Sequence, residues 1–219
     1  INAEIDRLRL AATSSLLSGR SDVIVVSSVS CIYGMGNPAA FYENVIDLRV
    51  GMKLAQNVLL RRLVDGLYVR NDAAPKAGNF RLKGDTVDVF LAYAEHLIRI
   101  TFWDDEIDSI EEVDVDTGQR VTTYEEYKIY PANLFLTTAE TREMAIRSIQ
   151  DDMVERVAYF REIGKNLEAK RLEERVSYDI EMIRELGHCS GIENYSRYFD
   201  GRAPGTRPYC LLDFFPKDF

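Results

Sequence analysis

The chain has few of the residues on which disulfide scaffolds and metal centres depend. Its three cysteines, Cys31, Cys189 and Cys210, are widely spaced and form no C-x-x-C pair. This usage is typical of a reducing compartment and argues against a disulfide framework. The only histidines are His96 and His188, so a histidine-rich zinc centre would have too few ligands.

Long apolar runs and a recognisable leader are also missing. No apolar run reaches the ~18 residues that a membrane span needs, and the first residues show neither a start Met nor a basic and then apolar leader. We therefore expect a cytoplasmic protein with no membrane partner, and the sequence resembles the middle of a longer one. Hydrophobic residues make up 46% and charged residues 29% of the chain, a balance that excludes a disordered protein.

Acidic residues outnumber basic ones, and the excess is concentrated in one segment. Residues 101–130 hold ten acids against two bases, a balance of -8 within a total net charge of -9. Residues 61–99 hold seven bases against five acids, a balance of +2. A basic segment followed by an acidic one suits docking to a charged protein surface at least as well as docking to DNA.

The first forty residues have the pattern of an α/β layer. Residues 3–18 predict an amphipathic helix closed by Gly19, with an apolar stripe at three- and four-residue steps, formed by Ile5, Leu8, Ala12, Ser15 and Leu16. Residues 22–27 (DVIVVS) are a β-branched run that predicts a strand buried in a parallel sheet. After a glycine loop at residues 33–38, a second helix is predicted over about 39–48.

The middle of the chain alternates with the period of a strand. Residues 59–68 have a helical pattern, and residues 78–90 predict a hairpin around Gly84 and Asp85. Residues 97–103 and 106–114 continue the alternation, so about 42–136 predict an α+β insertion on an antiparallel sheet. Thr138 then caps a long helical stretch with a break near Gly164, which predicts a helical pair or a kinked helix.

Three segments hold residues suited to binding or chemistry. The glycine loop at 33–38 occupies a phosphate-binding position but fits no phosphate-binding motif, so a tight turn is favoured. The acidic turn at 103–106 could hold a divalent cation, although solvated turn residues are favoured. Residues 190–198 combine tyrosines, an arginine and a glutamate, which suits either stacking on bases and gripping phosphate or an ordinary structural loop.

Four ordered blocks of the sequence together resemble the UvrB family of the bacterial UvrABC excision-repair system. They are residues 26–38 (VSSVSCIYGMGNP), 60–63 (LRRL) with 68–72 (YVRND), 78–85 (GNFRLKGD) and 189–197 (CSGIENYSR). The resemblance extends over essentially the whole chain. Because the blocks occur in the family's order, the combination is far more specific than any one of them.

The resemblance implies a multi-domain fragment with both α/β and α+β parts. Residues 1–40 would belong to a first, helicase-like parallel α/β domain, called 1a, and 41–137 to an inserted antiparallel-sheet α+β domain, called 2, that binds UvrA. Residues 138–208 would form the helical domain 1b beside the DNA path, and 209–219 would return toward the helicase-like domain.

The same resemblance implies two sets of site residues and no catalytic or metal-binding residue. The positions that match UvrA contacts are Arg70, Arg81, Lys83 and Arg99. Thr101 stands where the family pattern has an acidic residue, which weakens the match at that position. The positions that match the DNA path are Arg175, Glu193, Tyr195 and Arg197.

The family's ATP and Mg²⁺ belong to motifs that we expect outside these 219 residues. The Walker A loop and the tyrosine-rich hairpin would precede residue 1, and the D-E-S-H motif would follow residue 219. We therefore expect this chain to hold no cofactor, to be inactive as an ATPase and to bind UvrA through residues 41–137. UvrC, which makes the incision, and damaged DNA would be partners of the full-length protein alone.

Two other functions fit parts of the sequence. An autonomous nucleic-acid-binding domain would need a dominant basic surface, and a pI near 4.9 argues against it. The interaction module of the transcription-repair coupling factor is similar to the inserted domain. The presence of SGIENYSR at 190–197 together with YGMGNP at 33–38 favours the UvrB family.

Overall fold

The computed structural model describes residues 3–187 and 189–217, so His188 lies outside the described residues. These residues form two compact units. The sheet unit comprises residues 3–31, 38–136 and 211–217, and the helical unit comprises 32–37, 137–187 and 189–210.

A six-stranded sheet in the order β2-β3-β4-β5-β6-β7 is the centre of the sheet unit. Its strands are β2 (Val69–Arg70), β3 (Asn79–Lys83), β4 (Thr86–Phe90), β5 (His96–Trp103), β6 (Glu106–Asp114) and β7 (Arg120–Thr123). Neighbouring strands are antiparallel except for β2 and β3. Gly84, in the two-residue turn between β3 and β4, has a positive φ of 58°, which glycine adopts without strain. The predicted hairpin and antiparallel sheet are confirmed.

One face of this sheet is covered and holds the main apolar core. Helix α3 (Gln56–Asp65) contributes the fully buried Leu59 and Leu63. A second, two-stranded sheet of β1 (Ile46–Arg49) and β8 (Glu126–Ile129) adds Ile46 and Ile129 to the same core. The helix predicted over 59–68 is therefore confirmed, although it begins and ends earlier.

The helix predicted over 39–48 is wrong beyond its first turns. Helix α2 covers Pro38–Glu43 only, and β1 follows it. In β1, Ile46 and Leu48 are buried while Asp47 and Arg49 are exposed, which is the period of a strand. The partner strand β8 lies far along the chain, so local helical spacing gave no sign of the pairing.

The N-terminal segment agrees with the prediction in part. Helix α1 (Ala3–Leu17) is confirmed, and Leu16 of the predicted stripe is buried together with Leu10, Thr13 and Ser14, but Ile5 and Leu8 of the stripe are exposed.

The buried strand predicted over 22–27 is wrong. These residues form no strand, and Ile24 and Val26 are 90% and 93% exposed. A β-branched run is buried in a sheet only when strands pair beside it, and the described part of the chain places none there.

The helical unit is built on an antiparallel pair, α4 (Ala139–Glu162) and α5 (Asn166–Leu186). Thr138 caps α4 by accepting a hydrogen bond from the backbone N–H of Thr141 at 3.1 Å. Gly164, with a φ of 78°, lies in the connection, which confirms the predicted break. A 3-10 turn at Ile192–Asn194 and the short α6 (Ser196–Asp200) follow.

The chain therefore combines helices with antiparallel and mixed sheets in more than one compact unit. The fold class predicted from the sequence, a multi-domain fragment with α/β, α+β and helical parts, is confirmed at the level of helices and mixed sheets with an interaction domain and a helical domain. None of the described helices has the length and apolar character needed to cross a membrane.

Candidate functional site

The sheet has a second face, opposite α3, that carries polar side chains beside a small buried apolar cluster of Phe90, Leu97 and Val113. On β5, Ile98, Ile100 and Phe102 point into the core, so the alternating residues point to the other side. We call this side the polar face and define it by Arg81, Lys83, Asp88, Arg99, Thr101, Trp103 and Glu111. Three of the four residues predicted to bind UvrA, Arg81, Lys83 and Arg99, are thus brought to one surface.

Asp88 links two of these cations. Its Oδ1 accepts a hydrogen bond from Arg99 Nε at 2.7 Å, and its Oδ2 accepts one from Arg81 Nε at 2.9 Å. Arg99 Nη2 adds a contact of 3.1 Å to Oδ2. The Asp88 side chain is only 3% exposed. Burial opposes its ionisation, yet the hydrogen bonds from Arg99 and Arg81 outweigh burial and hold the pKa of Asp88 below its ordinary value.

The charges on the polar face alternate across the sheet. Glu111 lies opposite Arg99 in register and pairs with Arg120 Nη1 at 3.2 Å. The order from β3 to β7 is therefore Arg81, Asp88, Arg99, Glu111 and Arg120. In each ion pair the carboxylate is less exposed than the arginine, so the arginines are the outer members of this row, although the whole chain is acidic.

Arg70 and Lys83 are placed differently. Arg70 lies on the edge strand β2, where its register partner is the core residue Phe80 and its Nε pairs with Asp72 at 2.9 Å. Arg70 therefore lies at the edge of the sheet and outside the charged row. Lys83 is exposed at the end of β3 and has no ion pair among the residues that the structure describes.

Trp103 is a site residue that the sequence reasoning missed, because it was grouped with the acidic turn that follows it. It is the only tryptophan of the chain and is 79% exposed at the end of β5. A large, exposed aromatic ring is typical of protein interfaces, and the register partner of Trp103 on β6 is Glu106. The available signal was the strand alternation of Arg99, Thr101 and Trp103, which predicts that the three side chains lie on one face of the sheet.

In the helical unit, Arg175 and Tyr195 converge on a buried carboxylate, Asp179. Arg175 Nε and the Tyr195 hydroxyl donate to Asp179 Oδ2 at 2.8 and 2.7 Å. Arg175 Nη2 also donates to the backbone carbonyl of Ser190 at 3.2 Å. Asp179 is 3% exposed, whereas the Arg175 side chain is 62% exposed. The sequence reasoning missed Asp179, although its four-residue spacing from Arg175 on α5 predicts an ion pair.

Burial and the Asp179 carboxylate raise the pKa of the Tyr195 phenol. The phenol therefore remains a hydrogen-bond donor at neutral pH. Burial, together with the nearby Asp179 charge, raises the pKa of the Cys189 thiol to about 12. Because the thiolate is the nucleophilic form, Cys189 has no reactive thiolate at neutral pH.

Arg197 and Glu193 do not join the Asp179 cluster. Arg197 Nη2 donates to Asp152 Oδ2 at 2.5 Å, and its guanidinium lies 3.9 Å from the centre of the Tyr198 ring. The Tyr198 hydroxyl also donates to Asp152 Oδ2 at 2.6 Å. Glu193 lies in the 3-10 turn, where its backbone carbonyl accepts from Ser196 Oγ. The four predicted DNA-path residues thus lie in one unit. Arg175 and Tyr195 share the contact with Asp179, whereas Arg197 and Glu193 make contacts of their own.

Replacing Asp179 with Ala is expected to destabilise the helical unit by about 1–3 kcal/mol, because the half-buried Tyr195 hydroxyl and Arg175 lose their acceptor. The measurement is thermal unfolding followed by circular dichroism at 222 nm. The matched control is Glu181→Ala, an exposed acid on the same helix. Equal midpoints for the two variants would show that the Asp179 cluster contributes nothing to stability.

The glycine loop does not fit a nucleotide. Met35 is 1% exposed, and the loop leads into α2, which has only six residues. A phosphate cradle needs open backbone N–H groups at the start of a helix and, in P-loop proteins, the motif G-x-x-x-x-G-K-[ST], which the chain lacks. Gly34 has a φ of 71°, as in a tight turn.

Two family profiles match consecutive parts of the chain. The UvrB interaction domain matches residues 46–135, which include the polar face, and the UvrB third helical domain matches residues 140–201. The chain belongs to the UvrB family. Both matched ranges lie within the domains predicted at 41–137 and 138–208, whose exact borders remain a prediction.

Individual relatives in the UvrB family align with the whole chain. It is 71% identical over 219 residues to UvrABC system protein B of Bacteroides thetaiotaomicron and 52% identical over 219 residues to that of Cytophaga hutchinsonii. It is 53% identical over 220 residues to that of Bacillus caldotenax. In each case the alignment covers 100% of this chain but 32% or 33% of the relative. The chain spans about a third of the length of these relatives.

Proposed function

We propose that this chain is a fragment of the damage-verification subunit of bacterial nucleotide excision repair. In that role it docks to UvrA. The observation that carries the proposal is the polar face, on which the partly exposed Arg81 and Arg99 and the exposed Lys83 stand on one side of the sheet. Support also comes from the match of residues 46–135 to a UvrB interaction domain and from relatives named as components of a UvrABC system.

The composition of the polar face suits recognition of an acidic protein surface. Ordered arginines provide directed charge-assisted hydrogen bonds to carboxylates. An outward positive row on an acidic chain also favours one docking orientation and speeds association. Trp103 adds an exposed ring that would bury a large area in the same contact.

Isothermal titration calorimetry of this chain with UvrA from the same organism tests the proposal. We expect saturable binding that weakens as salt is raised from 50 to about 300 mM, because exposed charge pairs are screened. The absence of binding at protein concentrations of about 50 µM would refute the proposal. A Kd of about 50 µM corresponds to a binding free energy of about −5.9 kcal/mol in the standard state.

A second candidate function concerns DNA and rests on the helical unit. Arg175 is largely exposed while Asp179 beneath it fixes its direction, which suits a phosphate contact. We propose that Arg175, Glu193, Tyr195 and Arg197 lie along the DNA path of the full-length protein. Damaged DNA and UvrC would be partners of that longer protein.

This chain is expected not to bind Mg-ATP, because it has neither a Walker A loop nor a D-E-S-H motif. The measurement is the unfolding midpoint with and without 5 mM Mg-ATP, a concentration at which even a Kd of about 0.5 mM would raise stability by ~1.4 kcal/mol. Mg-ADP serves as the control ligand. A saturable rise in the midpoint would contradict the prediction.

The alternatives have less support. The relatives align with the helical unit as well as the sheet unit, which favours a UvrB protein over the module of a coupling factor. The acidic pI near 4.9 argues against an autonomous nucleic-acid-binding domain. We also propose a cytoplasmic location, which is consistent with the three free cysteines.

A further inference from the structure

We infer that Asp88 is a positioning residue of the docking surface, which holds the guanidinium groups of Arg81 and Arg99 in the orientation that meets acidic side chains of UvrA. The inference rests on the proposed docking function and deepens it. Asp88 itself would not touch the partner, because it lies beneath the two arginines.

The position of Asp88 is fixed by the strand that carries it. Its neighbours Val87 and Val89 are fully buried in the core on the other side of β4. Asp88 pairs in register with Arg81 on β3 and with Arg99 on β5. A central strand therefore places one carboxylate between two arginines, with no flexible loop involved.

The contacts leave part of each guanidinium available. Arg81 uses Nε and Nη2 on Asp88, and Arg99 uses Nε and Nη2. Among the described residues, neither Nη1 has a hydrogen-bond partner. The Arg81 guanidinium also lies over the Phe90 ring, 5.4 Å from its centre. Each arginine is thus held by its inner edge while its outer nitrogen remains free to bind.

This arrangement reduces the entropy that binding would cost. A free arginine side chain samples many rotamers, and immobilising it in an interface is unfavourable. Because Asp88 already orders the two arginines in the folded chain, their side-chain entropy is lost on folding and not on binding. The guanidinium groups remain charged, because arginine does not deprotonate in proteins.

The positioning role and a purely electrostatic role predict opposite effects. Asp88 carries negative charge on a surface that is proposed to attract acids. If its charge alone mattered, removing it would accelerate association and strengthen binding. If it positions the arginines, removing it would weaken binding through faster dissociation.

The experiment measures association and dissociation rates of the whole chain with UvrA by surface plasmon resonance. For Asp88→Asn we expect about tenfold faster dissociation with unchanged or faster association. Asp88→Glu, which keeps the charge but displaces the carboxylate, is expected to accelerate dissociation as well. Asp85→Asn, in the exposed turn after β3, is the matched control. Circular dichroism confirms that each variant is folded.

A double-mutant cycle separates positioning from a general effect on the fold. In a chain carrying Arg81→Ala and Arg99→Ala, a further Asp88→Asn change is expected to leave the dissociation rate unaltered. Tighter or unchanged binding of Asp88→Asn, or a full additional effect in the double-alanine chain, would overturn the inference while leaving the docking proposal intact. Unchanged UvrA binding by the double-alanine chain would overturn both.

Discussion

Reversal of Arg70 and Arg81 to Glu is expected to lower the affinity for UvrA by about tenfold or more, equivalent to ~1.4 kcal/mol. The two substitutions turn positive charge into negative charge at the edge strand and on the polar face. Acidic groups of the partner would then be repelled, and the loss should shrink at high salt because the interaction is screened. Calorimetry with UvrA at two salt concentrations measures the effect.

The control for this reversal must separate binding from folding. A glutamate at position 81 would face the buried Asp88 carboxylate, so Arg81→Gln, which can still donate to Asp88, is measured beside it. Arg61→Glu with Arg62→Glu makes the same charge change on exposed positions of α3, on the covered side of the sheet. Equal affinities for this control and the Arg70/Arg81 variant, with both folded, would exclude the polar face as the docking surface.

In the full-length protein, Arg175→Ala or Tyr195→Ala is expected to reduce stable loading at a lesion by about tenfold, as for loss of a phosphate contact or of one stacked base. UvrA binding should survive, because the polar face belongs to the sheet unit and these residues belong to the helical unit. Gel-shift measurement of the complex on damaged duplex DNA, with UvrA present, gives the loading. This chain alone should bind DNA no more tightly than ~10⁻⁴ M.

Lys170→Ala provides the matched control for loading, because Lys170 is an exposed base on the same helix as Arg175. Tyr195→Phe isolates the hydroxyl bond to Asp179 from the ring. Loss of UvrA binding with normal loading in the Arg175 or Tyr195 variants would show that the roles of the two units are reversed.

The structure was predicted most successfully where elements that pack together are also neighbours in sequence. The β3–β4 hairpin has a two-residue turn with glycine, so its strands are neighbours in sequence and in space. The α4–α5 pair has a capping threonine and a glycine between the helices. Both features are encoded within a few residues, and both are confirmed.

The failures arise where burial depends on distant partners. Residues 22–27 have strand-forming side chains, but no described strand pairs with them, and Ile24 is exposed. Strand β1 pairs with β8, from which it is separated by most of the sequence of the sheet unit. Its own residues therefore could not show that it is a strand. The burial of Asp88 and of Asp179 was not predicted for the same reason, since a carboxylate is recognised as buried only once its surrounding strands or helices are placed.

The measurement that tests docking through the polar face most directly uses the single tryptophan. Trp103 can be replaced by 5-fluorotryptophan, so that the chain has one ¹⁹F resonance while unlabelled UvrA has none. Docking of the polar face should shift or broaden this resonance in step with the calorimetric binding curve. A resonance unchanged by UvrA while calorimetry reports saturated binding would place the interface elsewhere and contradict the proposed docking surface.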